Sequence, residues 1–103
     1  MNYFDWLQNW YVNQCNGEWE HRYGVTMGTL DNPGWSVKID LIGTSIEAIE
    51  MAPIEIDSGS GAAPDWLHCS VSDGQLLGFG DSHKLEKLVG VFRSWVEANI
   101  EKV

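Results

Sequence analysis

The dipeptide Asp73-Gly74 lies between two alternating runs and constrains the fold more than any other pair in the chain. An Asp-Gly pair suits a type I′ turn, whose twist matches that of two antiparallel strands. Before it, Leu67, Cys69 and Val71 share one strand face, and Trp66, His68 and Ser70 share the other. After it, residues 76–79 return as the second strand. Asp81 or Ser82 is then placed to cap a helix. Leu85, Leu88, Val89, Phe92, Trp95, Val96 and Ile100 recur at the three- and four-residue spacing of a buried helical stripe, with Lys84, Lys87 and Arg93 off it. A hairpin followed by an amphipathic helix makes this half of the chain α+β.

The N-terminal half carries weaker signals of the same kinds. Phe4, Leu7, Trp10 and Tyr11 predict a helix over residues 3–13, with Asn2 as a possible cap and Asn16-Gly17 as a stop. From residue 19 the period changes to two. Trp19, His21, Tyr23, Val25 and Met27 fall on one face of an expected strand, and Glu18, Glu20, Arg22, Gly24 and Thr26 on the other. On this reading Glu20 and Arg22 can pair, and His21 is a hydrogen-bonded histidine at the core edge. Residues 32–35 read as a type II turn, with Pro33 fixing φ and Gly34 supplying positive φ. Trp35, Val37, Ile39 and Leu41 then alternate as a strand pairing back on the first.

After a turn at residues 43–45, residues 46–56 change parity at Ala52-Pro53, which predicts a bulged strand or two short strands at a sheet edge. Residues 57–65 read as a flexible glycine-rich loop without the Lys-Ser/Thr of a phosphate loop. The whole predicts one domain over residues 1–103: an α+β fold with a single antiparallel sheet of about five strands and an N-terminal and a C-terminal helix packed on one face.

The formal charge is −9, and its placement matters more than its size. Between Lys38 and Lys84 stand eight acids and no lysine or arginine. Such a field repels nucleic acid and anionic lipid, and it speeds encounter with a basic partner. Solubility alone is the plainer explanation of the same charge. No apolar run is long enough to cross a bilayer, and the first residues lack the basic region and cleavage site of a signal peptide, so a cytoplasmic location is expected.

Chemistry is sparse. Cys15 and Cys69 form no CxxC motif and are expected as reduced thiols, and no metal or cofactor is expected. His21, His68 and His83 have no histidine or cysteine at ligand spacing, and the strand reading puts Glu18 and Glu20 on the face opposite His21. Cys69 falls mid-strand, and Cys15 follows a helix end, where the dipole disfavours a thiolate. A small metal- or thiol-dependent enzyme using Glu18, Glu20, His21 or Cys15 is thus the weaker alternative, beside a generic regulatory interaction module. Trp66 stands apart from the other tryptophans. It follows the loop and takes the polar parity of its strand, as an exposed binding anchor or as cover for the second sheet face.

"WLQNWY", a cysteine, "NGEWEHRYGV" and then "TLDNPGWSVKIDL" together resemble the immunity protein 53 family, small α+β proteins encoded beside toxin genes in bacterial polymorphic toxin systems. The resemblance covers residues 6–41. It implies a cytoplasmic, non-enzymatic antidote that binds and neutralises a cognate toxin. The charge pattern makes the expected partner a basic protein, such as a nuclease, occluded by an acidic surface, with no nucleic acid or membrane bound. From the residues themselves, the expected toxin-facing set is Glu47, Glu50, Glu55, Asp57, Asp65 and Trp66. Glu18, Glu20, Arg22, Asp31, Asn32 and Trp35 form an alternative interface.

Overall fold

A computed structural model describes residues 2–59 and 64–100. Helix α1 spans Tyr3–Gln14, with the Asn2 side chain accepting the Asp5 N–H at 2.8 Å and Leu7 and Trp10 buried. It ends at Cys15, and the chain reverses through Gly17 at φ 92°. A single helical turn, α2, covers Trp19–Arg22. The strands are β1 (Val25–Leu30), β2 (Gly34–Asp40), β3 (Ile54–Asp57), β4 (Trp66–Ser72) and β5 (Gln75–Gly80), and α3 spans Leu85–Ile100. The order across the sheet is β1-β2-β5-β4-β3, with every neighbouring pair antiparallel.

Strand register divides the side chains between two faces. Val37, Ile39, Leu67, Cys69 and Leu76 point to the side on which α1 and α3 pack, and all are buried. Phe92 is fully buried between the helices and the sheet, with the Trp10 ring edge-on at 4.9 Å and the Trp6 ring at 5.7 Å. Two glycines of β5 let α3 approach. A Cβ on Gly78 would stand 2.9 Å from Leu88, and one on Gly80 would stand 2.6 Å from Lys84. Among the described residues, no helix packs on the opposite face.

The α+β architecture, the β4–β5 hairpin and both long helices match the expectations from sequence. Asp73 at φ 51° and Gly74 at φ 74° form the two-residue turn. Three local expectations are corrected. The strand expected from residue 19 starts only at Val25, because the polar side chains around it close a helical turn. Asn16 Oδ1 accepts the N–H groups of Glu18 and Trp19, each at 2.9 Å, while the Glu20 carboxylate accepts those of Asn16 and Gly17. This reciprocal exchange works like a capping box.

The turn before β2 is a hairpin loop of Asp31, Asn32 and Pro33 with a cis Asn32-Pro33 bond. Gly34 is a paired strand residue, not a positive-φ turn residue. It is glycine because a Cβ there would run into the Gly80 carbonyl. The third correction concerns residues 46–56. Successive turns follow Leu41 and bury Ile46, and only Ile54–Asp57 forms a strand, at the sheet edge.

Candidate functional site

The helix-free face of the sheet is where side chains remain available. Residue His68 of β4 lies opposite Phe79 of β5 on one side and Glu55 of β3 on the other, and Trp66 lies opposite Asp57. The Trp66 and His68 rings meet edge to face at 5.9 Å. Phe79 is 40% exposed. The Trp66 indole reaches over the end of the sheet toward β2, since a Cβ on Gly34 would lie 3.4 Å from its Cζ2. An aromatic island of Trp66, His68 and Phe79 therefore lies on the open face, with Glu55 and Asp57 along its edge.

Beneath Trp66 is a buried carboxylate with three hydrogen-bond donors. Asp81 is 1% exposed. Its Oδ2 accepts the Trp66 N–H at 3.0 Å and the Lys84 ammonium at 2.8 Å, and its Oδ1 accepts the His83 N–H at 2.8 Å. The Asp81 N–H in turn donates to the Trp66 carbonyl at 3.1 Å. Burial pushes the Asp81 carboxyl up, but the Lys84 ammonium and the His83 and Trp66 amides outweigh it and hold the group at about 2. The sequence pointed to Asp81 or Ser82 as a helix cap. The Asp81 carboxylate caps the turn that leads into α3 and ties that turn to β4.

Lys84 has a second carboxylate partner, Asp65 Oδ1 at 2.8 Å, and Asp65 also accepts the Ser58 hydroxyl at 2.7 Å. The hydrogen bonds from Lys84 and then Ser58 lower the Asp65 pKa, while those to Asp65 and Asp81 raise that of Lys84. Asp65, counted by sequence among the uncompensated acids, is thus paired with the base just beyond the acidic stretch, which it shares with Asp81.

The two expected interfaces are redistributed. Glu55, Asp57 and Trp66 come together on the open face. Glu47 and Glu50 do not join them. They sit in the segment before β3, and the Glu50 carbonyl accepts the Trp95 indole N–H of α3 at 3.3 Å. Of the alternative set, Asp31 and Asn32 are exposed in the β1–β2 loop, at the same end of the sheet as Trp66. Trp35 is half-buried on the helix side, its indole N–H bonded to the Ser82 carbonyl at 3.1 Å. Glu18, Glu20 and Arg22 sit at the other end of β1, about 20 Å away along six residues of strand.

There α2 borders a cleft of about 500 Å³ lined by Glu18, Trp19, His21, Arg22 and Gly43. His21 is exposed, not at the core edge as expected, and Glu20 is engaged by backbone amides rather than by Arg22. Those amides, its own included, lower its pKa.

Both cysteines are free thiols, and burial pushes Cys69 up to about 11. Among the described residues, no three His, Cys, Asp or Glu side chains stand close enough together to hold a metal ion. No helix of the described residues is long and apolar enough to cross a membrane.

The immunity protein 53 profile matches residues 4–97, well past the stretch on which the resemblance rested. The chain belongs to the immunity protein 53 family. It is therefore an immunity protein, from a family that is not one of enzymes and whose function implies a toxin as partner. No curated protein and no solved structure matches it significantly. What sequence reasoning missed in this immunity protein is the partnership of Trp66 with His68 and Phe79. The matched parities of β4 and β5 across the Asp73-Gly74 turn carried that signal, because they fix which residues face each other.

Proposed function

We propose that this immunity protein neutralises a cognate toxin in the cytoplasm by laying the open face of its sheet over the toxin's active site. The observation that carries the reading is the island of Trp66, His68 and Phe79 on a helix-free face, edged by Glu55 and Asp57. Aromatic side chains surrounded by charge are the usual composition of a binding hot spot and its rim. The acids favour a basic toxin, and a nuclease supplies one, since its cleft is built for phosphate. Asp31 and Asn32 extend the surface at its end. Glu47 and Glu50 stand outside it, and Asp65 supports it through Lys84.

The test is co-expression with the product of the adjacent toxin gene, scored for rescue of growth and for co-purification, followed by binding kinetics across a salt series. Trp66→Ala should speed dissociation at least about tenfold. Glu55→Lys with Asp57→Lys should slow association at low salt and leave the melting temperature nearly unchanged. Association indifferent to salt and to these reversals would remove the acidic mechanism while leaving the immunity role standing. Failure to co-purify and to rescue would remove the pairing with that toxin.

A further inference from the structure

The two edges of the sheet are guarded differently. Edge strand β3 is four residues long and carries Glu55 and Asp57. Short length and charge are standard protections against pairing with another chain. Edge strand β1 is six residues of sequence VTMGTL, with no charge and no proline. Helix α1 beside it carries a single charge, Asp5 in its first turn, and residues 6–17 and 23–30 contain no Asp, Glu, Lys or Arg in a chain of net charge −9. This flank also exposes large apolar side chains, with Phe4 47% and Met27 36% exposed. A groove of about 400 Å³ runs between helix and strand, lined by Phe4, Leu7, Tyr11, Val25 and Met27.

From this flank we infer that β1 is the contact through which two copies of the chain pair, antiparallel, into one continuous sheet. Charge selects the occupant. A basic partner gains nothing from an uncharged flank and is drawn to the acids elsewhere. A second copy is repelled wherever acids would face acids, and this flank lets two copies meet without that penalty. Antiparallel edge pairing is also self-complementary about a two-fold axis, as an isologous dimer requires. That axis runs along the sheet normal, so it keeps all the long helices on one face and sets the Phe4–Met27 groove of one copy beside that of the other. The open face with Trp66 stays free, so the inference stands apart from the toxin reading.

Sedimentation equilibrium of the full chain across a concentration series tests it. The expected mass rises from 11.6 kDa to twice that value. Met27→Lys and Met27→Glu should each weaken the dimer by about tenfold or more, and mixing the two should restore it as a heterodimer. Hydrogen exchange on the unaltered protein should show β1 amides gaining protection as concentration rises, a readout independent of whether either variant folds. A wild type that stays at 11.6 kDa up to millimolar concentration overturns the inference. So does a dimer whose β1 amides show no concentration-dependent protection, or one indifferent to both folded variants.

Discussion

From Trp66 onward the chain is held by burial that repeats along each element, whereas residues 16–34 are held by polar and steric contacts that each occur once. In the first region, Leu67, Cys69 and Leu76 fill one face of the hairpin, and Leu88, Val89, Phe92 and Val96 answer from α3. Losing the register of any one strand would move its whole apolar set to solvent. In the second region, Asn16 and Glu20 exchange hydrogen bonds with four backbone amides, and Gly34 clears the Gly80 carbonyl. A repeated pattern fixes the backbone shape through many residues at once, but a contact made once sets its local shape through one side chain.

Stability and local shape are therefore expected to respond differently, and the largest loss of stability is expected in the repeated region, where each side chain is buried. Phe92→Ala should cost about 3–5 kcal/mol, because it empties a site with no exposed surface between two rings and the sheet. Lys87→Ala on the same helix should stay within about 0.5 kcal/mol. Urea unfolding of the pair would break the comparison if the two losses were equal.

Asp81 is the exception within that region, a polar residue bonded once to each of several elements. Asp81→Asn should cost about 2–3 kcal/mol. It should also change the pH dependence. The native carboxyl is held at about 2, below its unfolded value near 3.9, so the unfolded chain binds the extra proton between the two. The stabilisation is complete above about pH 4 and is lost as pH falls toward about 2. Thermal melts from pH 5 to 2 should fall more steeply for the wild type than for the Asn variant.

Two glycines sharpen the comparison further. Gly34→Ala should cost about 1–3 kcal/mol, since the added methyl meets backbone that cannot move aside. Gly74→Asn should cost about 1 kcal/mol or less, since asparagine tolerates positive φ and only the Ile42 side chain must yield. Equal melting temperatures for the two variants would mean that the Gly80 carbonyl does not exclude a side chain at position 34.

The smallest expected effect belongs to the helical turn. Asn16→Ala should lose about 1 kcal/mol by freeing two amides, and His21→Ala, on the exposed side of the turn, should be silent. The reverse order in chemical denaturation would restore the strand reading of residues 19–22.

These contrasts also explain what could be read in advance. The β4–β5 hairpin and α3 were legible because turn chemistry and apolar spacing agree along many residues. At α2 the two signals compete. Trp19 and Tyr23 share a face at strand spacing and at one helical turn alike, so their burial was read correctly, whereas the backbone shape and the exposure of His21 were not. The short polar side chain of Asn16 decided it. Gly34 looked like a turn glycine because Pro33 precedes it. The carbonyl that excludes a side chain there comes from Gly80, far along the chain, where no local pattern reaches. Of the candidate site, Glu55, Asp57 and Trp66 could be found from charge and parity. The tether of Asp65 could not, because it depends on where the fold brings Lys84.

The bonding of Trp66 to Asp81 bears on the entropy of recognition. Its amide is fixed by the Asp81 carboxylate and its carbonyl by the Asp81 N–H, while the indole rests over Gly34 and against His68. A ring with only two rotatable bonds, mounted on backbone pinned from both sides, has little freedom left to lose. A molecule landing on it meets a surface already in its final shape, so contact energy there converts to affinity with almost no ordering cost.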